Sequence, residues 1–372
     1  MNKLFEKIYG CEAAGSIANS MGEIMEGWTI EERKQRLGYV EELLPVDKPD
    51  YDGRLNRTNP ADVSLGYPLI YHGHSRVPGT TEDGEERHRL CATAIIEKGD
   101  RINIFDLAKV WVRDLKPESF GYLLGPQDQV IYYSLKAGIP PWEVGKFASW
   151  PGFYGTTKMI SPVGEVNACN PALAAQDAQE LGRIKDVKGV PGNYALEVCS
   201  AYAAAIAEAL KPDASISSII DTAISYLSWS PQSDALEALD WAKNSNNCEE
   251  YGLKFEEKYR GRPVSNAVEI FTASLGLFYM ADADPKKAIV YAVNSGRDTD
   301  CRAHTAGSLS GALRGISAVP QNWIKTVDEA MAVNPYTVSK RSCKETAEGI
   351  YRAAMNNTAK MQGVIDLVNS MT

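Results

Sequence analysis

Two aspartates one residue apart, Asp298 and Asp300, open the stretch SGRDTDCRAHTAGSLSG at residues 295–311. Two carboxylates this close repel each other unless a cation or hydrogen-bond donors neutralise them. One carboxylate is enough to cap a helix, and Gly296 just before them indicates a tight turn that aims both side chains. Carboxylate oxygens are also the ligands that Mg²⁺ and Mn²⁺ prefer. The stretch alone leaves two interpretations open, a helix cap and a metal site.

A second acidic group, Thr81-Glu82-Asp83, ends a long stretch rich in Pro, Gly, Asp and His. Its hydroxyl and two carboxylates could join the first group in holding one or two ions, but Thr81 could equally begin a capping box. A third pair of aspartates serves as a control. There Asp284 precedes Pro285, the ordinary pattern of an N-cap followed by proline in the first helical turn.

Two segments carry small residues every fourth position, although glycine costs a helix up to about 1 kcal/mol relative to alanine. Such stripes let helix backbones approach closely. We expect both helices to pack tightly at the centre of a bundle and to hold the site rigidly, the alternative being two ordinary core helices. The stripes are Gly10, Ala14, Ala18 and Gly22, and Ala303, Gly307, Gly311 and Gly315.

The apolar residues recur mainly with helical spacing, which predicts an all-α fold. The chain has 372 residues, 44% of them hydrophobic and 23% charged, and no low-complexity linker divides it. We therefore expect a single domain over residues 1–372. Residues 100–110 could be a short strand or the start of a helix, and 44–86 reads as a loop. The predicted helices are 194–210, 216–228, 232–244, 264–280, 286–294 and 345–368.

Net charge and cysteine usage restrict the class of protein. The net charge of −9 argues against nonspecific binding to nucleic acid or anionic membranes. No apolar run reaches about 18 residues, so no membrane span is expected, and the N-terminal residues lack the apolar core of a signal peptide. The seven cysteines show no CxxC spacing. They predict reduced thiols in a cytoplasmic protein.

Three segments in this order resemble the ADP-ribosylglycohydrolase family, which includes dinitrogenase reductase-activating glycohydrolase and ADP-ribosyl-acceptor hydrolases. They are GCEAAGSIANSMGEIMEG near the N-terminus, TEDG at 81–84, and AVNSGRDTDCRAHTAGSLSG near the C-terminus, which Pro320 and Trp323 follow. The segment 160–186 also resembles the central loop and helix of the family. The resemblance implies an all-α orthogonal helical bundle with a central metal site.

The resemblance also implies a set of functional residues. Two Mg²⁺ or Mn²⁺ ions would be held by hydroxyls and carboxylates of the two acidic groups. A glutamate after the first signature would contact the reacting sugar, and Glu26 matches it by spacing, with Glu23 the weaker candidate. The implied catalytic residues are Glu26, Glu82 and Asp300, and the implied metal ligands are Thr81, Glu82, Asp83, Asp298, Asp300 and Cys301.

Four positions depart from the family pattern. Asn19 stands where an aspartate is usual, and Glu82 is one methylene longer than the usual aspartate. Gly84 lacks the usual hydroxyl, and Cys301 offers a thiol, which is a poor ligand for Mg²⁺. We therefore expect at least one ion and leave the second open.

The implied reaction is hydrolysis of the glycosidic bond of an ADP-ribosyl group through an oxocarbenium-like transition state. Asn19 is placed among the substrate-binding residues. Backbone N–H groups at Ser161, Val163 and Gly164 would bind the diphosphate. Phe153 or Tyr154 would stack on adenine, the alternative being plain loop packing.

The four histidines allow less specific interpretations. His72 and His74 have a spacing that can bind zinc, although a surface loop fits them better because no further ligand lies nearby. His88 and His304 fall on helices beside the acidic groups. Each could orient a carboxylate or simply be a satisfied histidine.

Three functions stay open at this point. The first is removal of ADP-ribose from a protein or another acceptor. The second keeps the site but acts on a small nucleoside, nucleotide or other N-ribosyl compound. The third is a ligand-binding relative without turnover.

Overall fold

Helix-capping residues set the beginnings of several helices in the computed structural model, which describes residues 2–45, 76–116, 124–148, 150–187 and 192–371. Asn103, for example, accepts backbone hydrogen bonds from Phe105 and Asp106 and so begins a helix at Ile104. The segment 100–110 is therefore a helix start and not a strand. The α-helices are α1 (Lys3–Glu23), α2 (Ile30–Leu37), α3 (Asp83–Lys98), α4 (Ile104–Asp114), α5 (Pro126–Lys136), α6 (Pro141–Val144), α7 (Ser161–Val166), α8 (Pro171–Gly182), α9 (Ala195–Ala209), α10 (Ile216–Ser225), α11 (Trp229–Asn244), α12 (Cys248–Lys258), α13 (Ala267–Met280), α14 (Pro285–Val293), α15 (Thr299–Arg314), α16 (Gln321–Val333) and α17 (Cys343–Asn369).

The fold is all-α, as the sequence predicts. The described segments contain no β-strand, and an isolated bridge joins Phe153 and Asn266. Short 3₁₀ helices cover Gly145–Phe147, Tyr154–Met159 and Ile316–Ala318. All six helices predicted from apolar spacing are present, with ends that differ by a few residues. Within these segments no helix is long and apolar enough to cross a membrane.

Only part of the segment 44–86, which the sequence predicts to be a loop, can be compared with the structure. Residues 46–75, which include His72 and His74, lie outside the described residues, and α3 already begins at Asp83. All seven cysteines fall within the described segments, and each is a free thiol. The prediction that residues 1–372 form a single domain stays a prediction.

The two stripes of small residues face each other in the centre of the molecule, as predicted. A side chain at Gly311 would place its Cβ 2.5 Å from the Gly10 carbonyl carbon, and one at Gly22 would place it 2.5 Å from the Asp300 Cα. The backbones of α1 and α15 are thus in direct contact along their length. The contact fixes the N-terminus of α15, where Asp298 and Asp300 lie, against the C-terminal part of α1.

Substituting Gly311 with alanine tests this packing. We expect Gly311→Ala to lower the free energy of unfolding by about 1–3 kcal/mol, because the added methyl group has no space between the two backbones. Gly363 lies in α17, and no atom of the described segments comes within 4 Å of its Cβ position. The control Gly363→Ala should therefore be neutral or stabilise the protein by up to about 1 kcal/mol. Chemical denaturation measures both, and equal stability of the two variants would contradict the packing.

Candidate active site

The acidic centre consists of Asp298 and Asp300 at the start of α15 and Glu82 at the start of α3. Asp298 is the N-cap of α15. Its Oδ1 accepts a hydrogen bond from the Cys301 backbone N–H at 3.2 Å, and its Oδ2 accepts one from the Ser265 hydroxyl at 2.7 Å. Asp298 is fully buried. The helix-cap interpretation of the two aspartates is thus correct for Asp298, and a different role remains for Asp300.

The turn before Asp298 is held by a buried ion pair. Gly296 and Arg297 both have positive φ, 73° and 62°, and this conformation is unfavourable for a non-glycine residue. The Arg297 guanidinium makes two hydrogen bonds to the Glu269 carboxylate, at 2.5 and 2.9 Å. Arg302 donates to the same carboxylate at 2.9 Å. These contacts stabilise the strained turn and fix the direction of the aspartates.

Asp300 points into the interior with one oxygen unused. Its Oδ2 accepts a hydrogen bond from the Lys158 ammonium, and its Oδ1 accepts none from any described residue. Burial raises the pKa of the Asp300 carboxyl to about 6, although the Lys158 charge opposes the rise. Donor atoms of Asp298, Asp300 and Cys301 lie within 4.8 Å of one another, a spacing that could hold a metal ion.

The second acidic group lies at the N-terminus of α3, where Glu82 is the N-cap. Its Oε1 accepts a hydrogen bond from the Gly84 N–H at 3.0 Å. Asn19 of α1 binds both the side chain and the backbone of Glu82. Its amide N–H donates to Glu82 Oε1, and its Oδ1 accepts from the Glu82 backbone N–H at 2.9 Å. The capping box that could begin at Thr81 does not form. The Thr81 hydroxyl accepts a hydrogen bond from Arg89 instead, at 3.0 Å.

The buried Lys158, on the 3₁₀ helix Tyr154–Met159, joins the two acidic groups. Its Nζ donates to Glu82 Oε1 at 2.5 Å and also to Asp300 Oδ2. The lysine side chain is 1% exposed and both carboxylates are 2% exposed. Burial acts to lower the pKa of Lys158, but the surrounding acidic groups, Asp300 first among them, together outweigh it and raise the pKa well above its ordinary value. The surroundings of the amine therefore favour its charged form.

Glu26 lies on the turn that follows α1, beside the same site. Two backbone hydrogen bonds join this turn to Arg297, from the Gly27 N–H at 2.7 Å and to the Trp28 carbonyl at 3.0 Å. Glu26 is half-buried, whereas Glu23 is fully buried and forms an ion pair with Arg76. Glu26 is thus the more accessible of the two, and its acid–base role stays a prediction.

Comparison with known protein families assigns the chain to a family. A family model described as ADP-ribosylglycohydrolase matches residues 1–359. The chain belongs to the ADP-ribosylglycohydrolase family. An uncharacterised protein of Archaeoglobus fulgidus is 22% identical over 92% of this chain and 99% of its own length. The ADP-ribosyl-[dinitrogen reductase] glycohydrolase of Rhodospirillum rubrum is 29% identical over 72 residues, which are 19% of this chain and 24% of that protein.

A solved structure supports the fold independently. This chain is similar to a chain of an ADP-ribosylglycohydrolase-related protein complex, with a TM-score of 0.61 and 17% identity. The match covers 95% of this chain and 100% of that one. The family is one of hydrolases that act on glycosidic bonds, so the sequence-based prediction of the family, the fold and the enzyme class is confirmed.

The metal centre that this family implies can be tested against the side chains present. Its implied ligands already have protein partners: Thr81 binds Arg89, Asp83 binds Arg87 at 2.5 Å, and Glu82 and Asp300 share Lys158. An ion on Asp300 would lie beside a lysine ammonium, and like charges repel strongly in a buried site. Cys301 adds a thiol, a weak ligand for Mg²⁺. As they stand, the described residues do not fit a two-ion centre.

Two of the predicted aromatic and polar contacts need correction. Tyr154 is fully buried and its hydroxyl lies 2.5 Å from the Thr305 hydroxyl, so its ring packs in the core and does not face a ligand. Asn19 is also fully buried. Its side chain binds Glu82, so it positions that residue and does not bind the substrate. Phe153 is half-buried and stacks on Trp150, with ring centroids 5.8 Å apart at 16°. Phe153 thus stays a candidate for binding a planar ring.

The predicted diphosphate donors are also placed differently. Val163 and Gly164 donate their backbone N–H groups to the Ile160 carbonyl at 2.9 and 3.4 Å, inside the short helix α7. A Cβ at Gly164 would lie 2.6 Å from the Ile206 Cβ, so this helix packs directly on α9. The Ser161 hydroxyl is buried against His88 at 3.0 Å. The segment therefore belongs to the core, because its small residues serve helix packing.

The histidines beside the acidic groups are internal. His88 lies between Ser161 and Glu12, with 3.1 Å from its Nε2 to the Glu12 carboxylate. His304 is fully buried, which lowers its pKa to about 3 and keeps the ring neutral. The satisfied-histidine interpretation is correct for His88. Sequence reasoning missed Lys158, Ser265 and the Arg297–Glu269 pair, and the glycine at position 84 was the one signal that could have indicated a large neighbour.

The contact between Asn19 and Glu82 predicts a specific sensitivity. We expect Asn19→Asp, which restores the residue usual in the family, to lower the free energy of unfolding by about 1–3 kcal/mol, because a buried donor is exchanged for a repelling carboxylate. Asn246 makes the same kind of bond to Glu250 at 2.8 Å on the surface. The control Asn246→Asp should cost about 0.5 kcal/mol or less. Similar losses for both, measured by urea denaturation, would exclude a special role for Asn19.

Proposed function

We propose that this protein hydrolyses the glycosidic bond between an ADP-ribosyl group and its acceptor. Family membership supports glycohydrolase activity on ADP-ribose derivatives. The observation that carries the proposal is the buried Oδ1 of Asp300, which has no hydrogen-bond partner among the described residues, while Oδ2 of the same carboxylate binds Lys158. A carboxylate oxygen with no donor in such a place binds a water molecule strongly and can take its proton.

The chemistry then divides between two carboxylates. Asp300 acts as general base, so a water oxygen bonds to the anomeric carbon while its proton passes to the carboxylate. The bond from that carbon to the acceptor breaks through an oxocarbenium-like transition state, which the surrounding negative charge stabilises. Glu26, half-buried on the turn beside Arg297, supplies a proton to the leaving group. Asp298 fixes the backbone that aims Asp300.

The cation of the site is the part of the prediction that the geometry supports least. Mg²⁺ or Mn²⁺, which the family resemblance implies, would take Asp298, Asp300 and Cys301 as ligands, and Lys158 already binds one of them. The steps above use only groups of the chain itself.

The adenine end of the substrate is proposed to stack on Phe153. Phe153 pairs with Asn266, and the adjacent Ser265 donates to Asp298, so one loop contacts both Phe153 and the acidic centre. Trp150 supports the ring from behind. The acceptor is an ADP-ribosylated molecule or a small ribosyl compound. A cytoplasmic location stays a prediction from the cysteine pattern.

Release of ADP-ribose tests the proposal. We expect turnover on at least one of arginine-, serine- or DNA-linked ADP-ribose, and Asp300→Asn should lower kcat by about 10²–10⁴-fold because the base is lost. The exposed Asp282 provides the control Asp282→Asn, with full activity expected. Turnover confined to nucleosides or other N-ribosyl compounds would favour the small-molecule function. Full activity of a folded Asp300→Asn variant would contradict the mechanism.

The role of Phe153 can be measured separately. Stacking of a base on an aromatic side chain is worth about 1–3 kcal/mol, so Phe153→Ala should raise KM by roughly 5- to 150-fold with kcat nearly unchanged. Phe147 is exposed on a neighbouring 3₁₀ helix, and Phe147→Ala should leave KM unchanged. An unchanged KM for Phe153→Ala would assign the ring to loop packing.

A further inference from the structure

We propose that the ammonium group of Lys158 replaces a divalent metal ion at the centre of this site. The carboxylates of two helix N-termini are then held together by a fixed charge of the protein itself. This differs from the metal centre that membership of the family implies. It concerns the cation of the proposed active site and does not depend on which substrate is cleaved.

The position of the lysine carries the argument. Asp300 belongs to the first acidic group and Glu82 to the second, and a metal ion shared by the two groups would have to lie between them. Lys158 Nζ binds both carboxylates, at 2.5 Å from Glu82 Oε1 and in direct contact with Asp300 Oδ2. The three side chains are almost completely buried. Two buried carboxylates need a compensating cation, and here the chain supplies it.

The glycine at position 84 is the second and independent observation. A Cβ on Gly84 would lie 2.5 Å from Lys158 Cε and 2.8 Å from Nζ. Any larger residue at this position, including one with the hydroxyl usual in the family, would push the lysine away from the carboxylates. Gly84 therefore provides the space in which the lysine side chain lies.

The remaining departures from the family pattern agree with the same exchange. The longer side chain of Glu82 brings its oxygen to Nζ while it still caps α3. Asn19 donates a hydrogen bond to Glu82, whereas an aspartate would add a further negative charge beside the single Lys158 ammonium. If no ion is bound, position 301 does not need a hydroxyl ligand, and a cysteine can occupy it. Four substitutions thus follow from one change of cation.

Metal binding by the full-length protein tests the inference, with Mn²⁺ as the probe. We expect the Tm of the wild type to change by less than about 1 °C when EDTA is replaced by millimolar Mn²⁺, since a ligand that does not bind does not stabilise. In Lys158→Met the carboxylates lose their cation. This variant should have a lower Tm in EDTA and should recover several degrees in Mn²⁺.

Lys185 supplies a matched control. It is also 1% exposed and lies 3.8 Å from Asp128, and among the described residues it forms no ion pair with Glu82 or Asp300. Lys185→Met should lose stability without any response to Mn²⁺. A rise of several degrees for the wild type in Mn²⁺, or a folded Lys158→Met variant that ignores Mn²⁺, would overturn the inference.

A calorimetric titration of the wild type with Mn²⁺ keeps the test decisive if Lys158→Met does not fold. No heat of binding is expected, and a saturable site with a Kd in the micromolar range would refute the exchange. Neither measurement uses a substrate. Absence of glycohydrolase turnover would therefore contradict the proposed function and leave this result intact.

Discussion

Three buried charges at the centre of the molecule depend on one another. The carboxylates of Glu82 and Asp300 come from the N-termini of α3 and α15, and neither is stable in a dry interior alone. The Lys158 ammonium binds both. Removing one partner of such a buried pair typically costs about 3–5 kcal/mol, because the other charge is left uncompensated. The 3₁₀ helix that carries Lys158 contacts α3, α9, α13 and α15, and the lysine side chain itself links the N-termini of α3 and α15.

The packing of α1 on α15 gives these charges their precision. Gly10 packs against Gly311 and Gly22 packs against Asp300. These close contacts fix the register of the two backbones. The same contact sets Asn19 beside Glu82. The helix interface therefore orders an acidic site whose parts lie far apart in the sequence.

The sequence could predict whatever depends on local patterns. Apolar spacing located the helices, the glycine stripes located the central contact, and the pair Asp298 and Asp300 located the site. The sequence does not reveal the role of Lys158, because this residue lies 142 residues from Asp300 and its sequence neighbours do not indicate a buried charge. Tyr154 and Gly164 were misplaced for a related reason, since a residue type suited to a ligand is equally suited to a core. Only Gly84 gave a signal, and it required knowledge of its neighbour to be understood.

The most direct test of this account is a crystal structure of the wild-type protein grown in Mn²⁺, with anomalous diffraction data collected at the manganese edge. The account predicts the Lys158 amine in hydrogen-bond contact with Glu82 and Asp300, and no anomalous peak within the acidic centre. A manganese peak bound by Asp298 and Asp300, with the lysine turned away from both carboxylates, would contradict it.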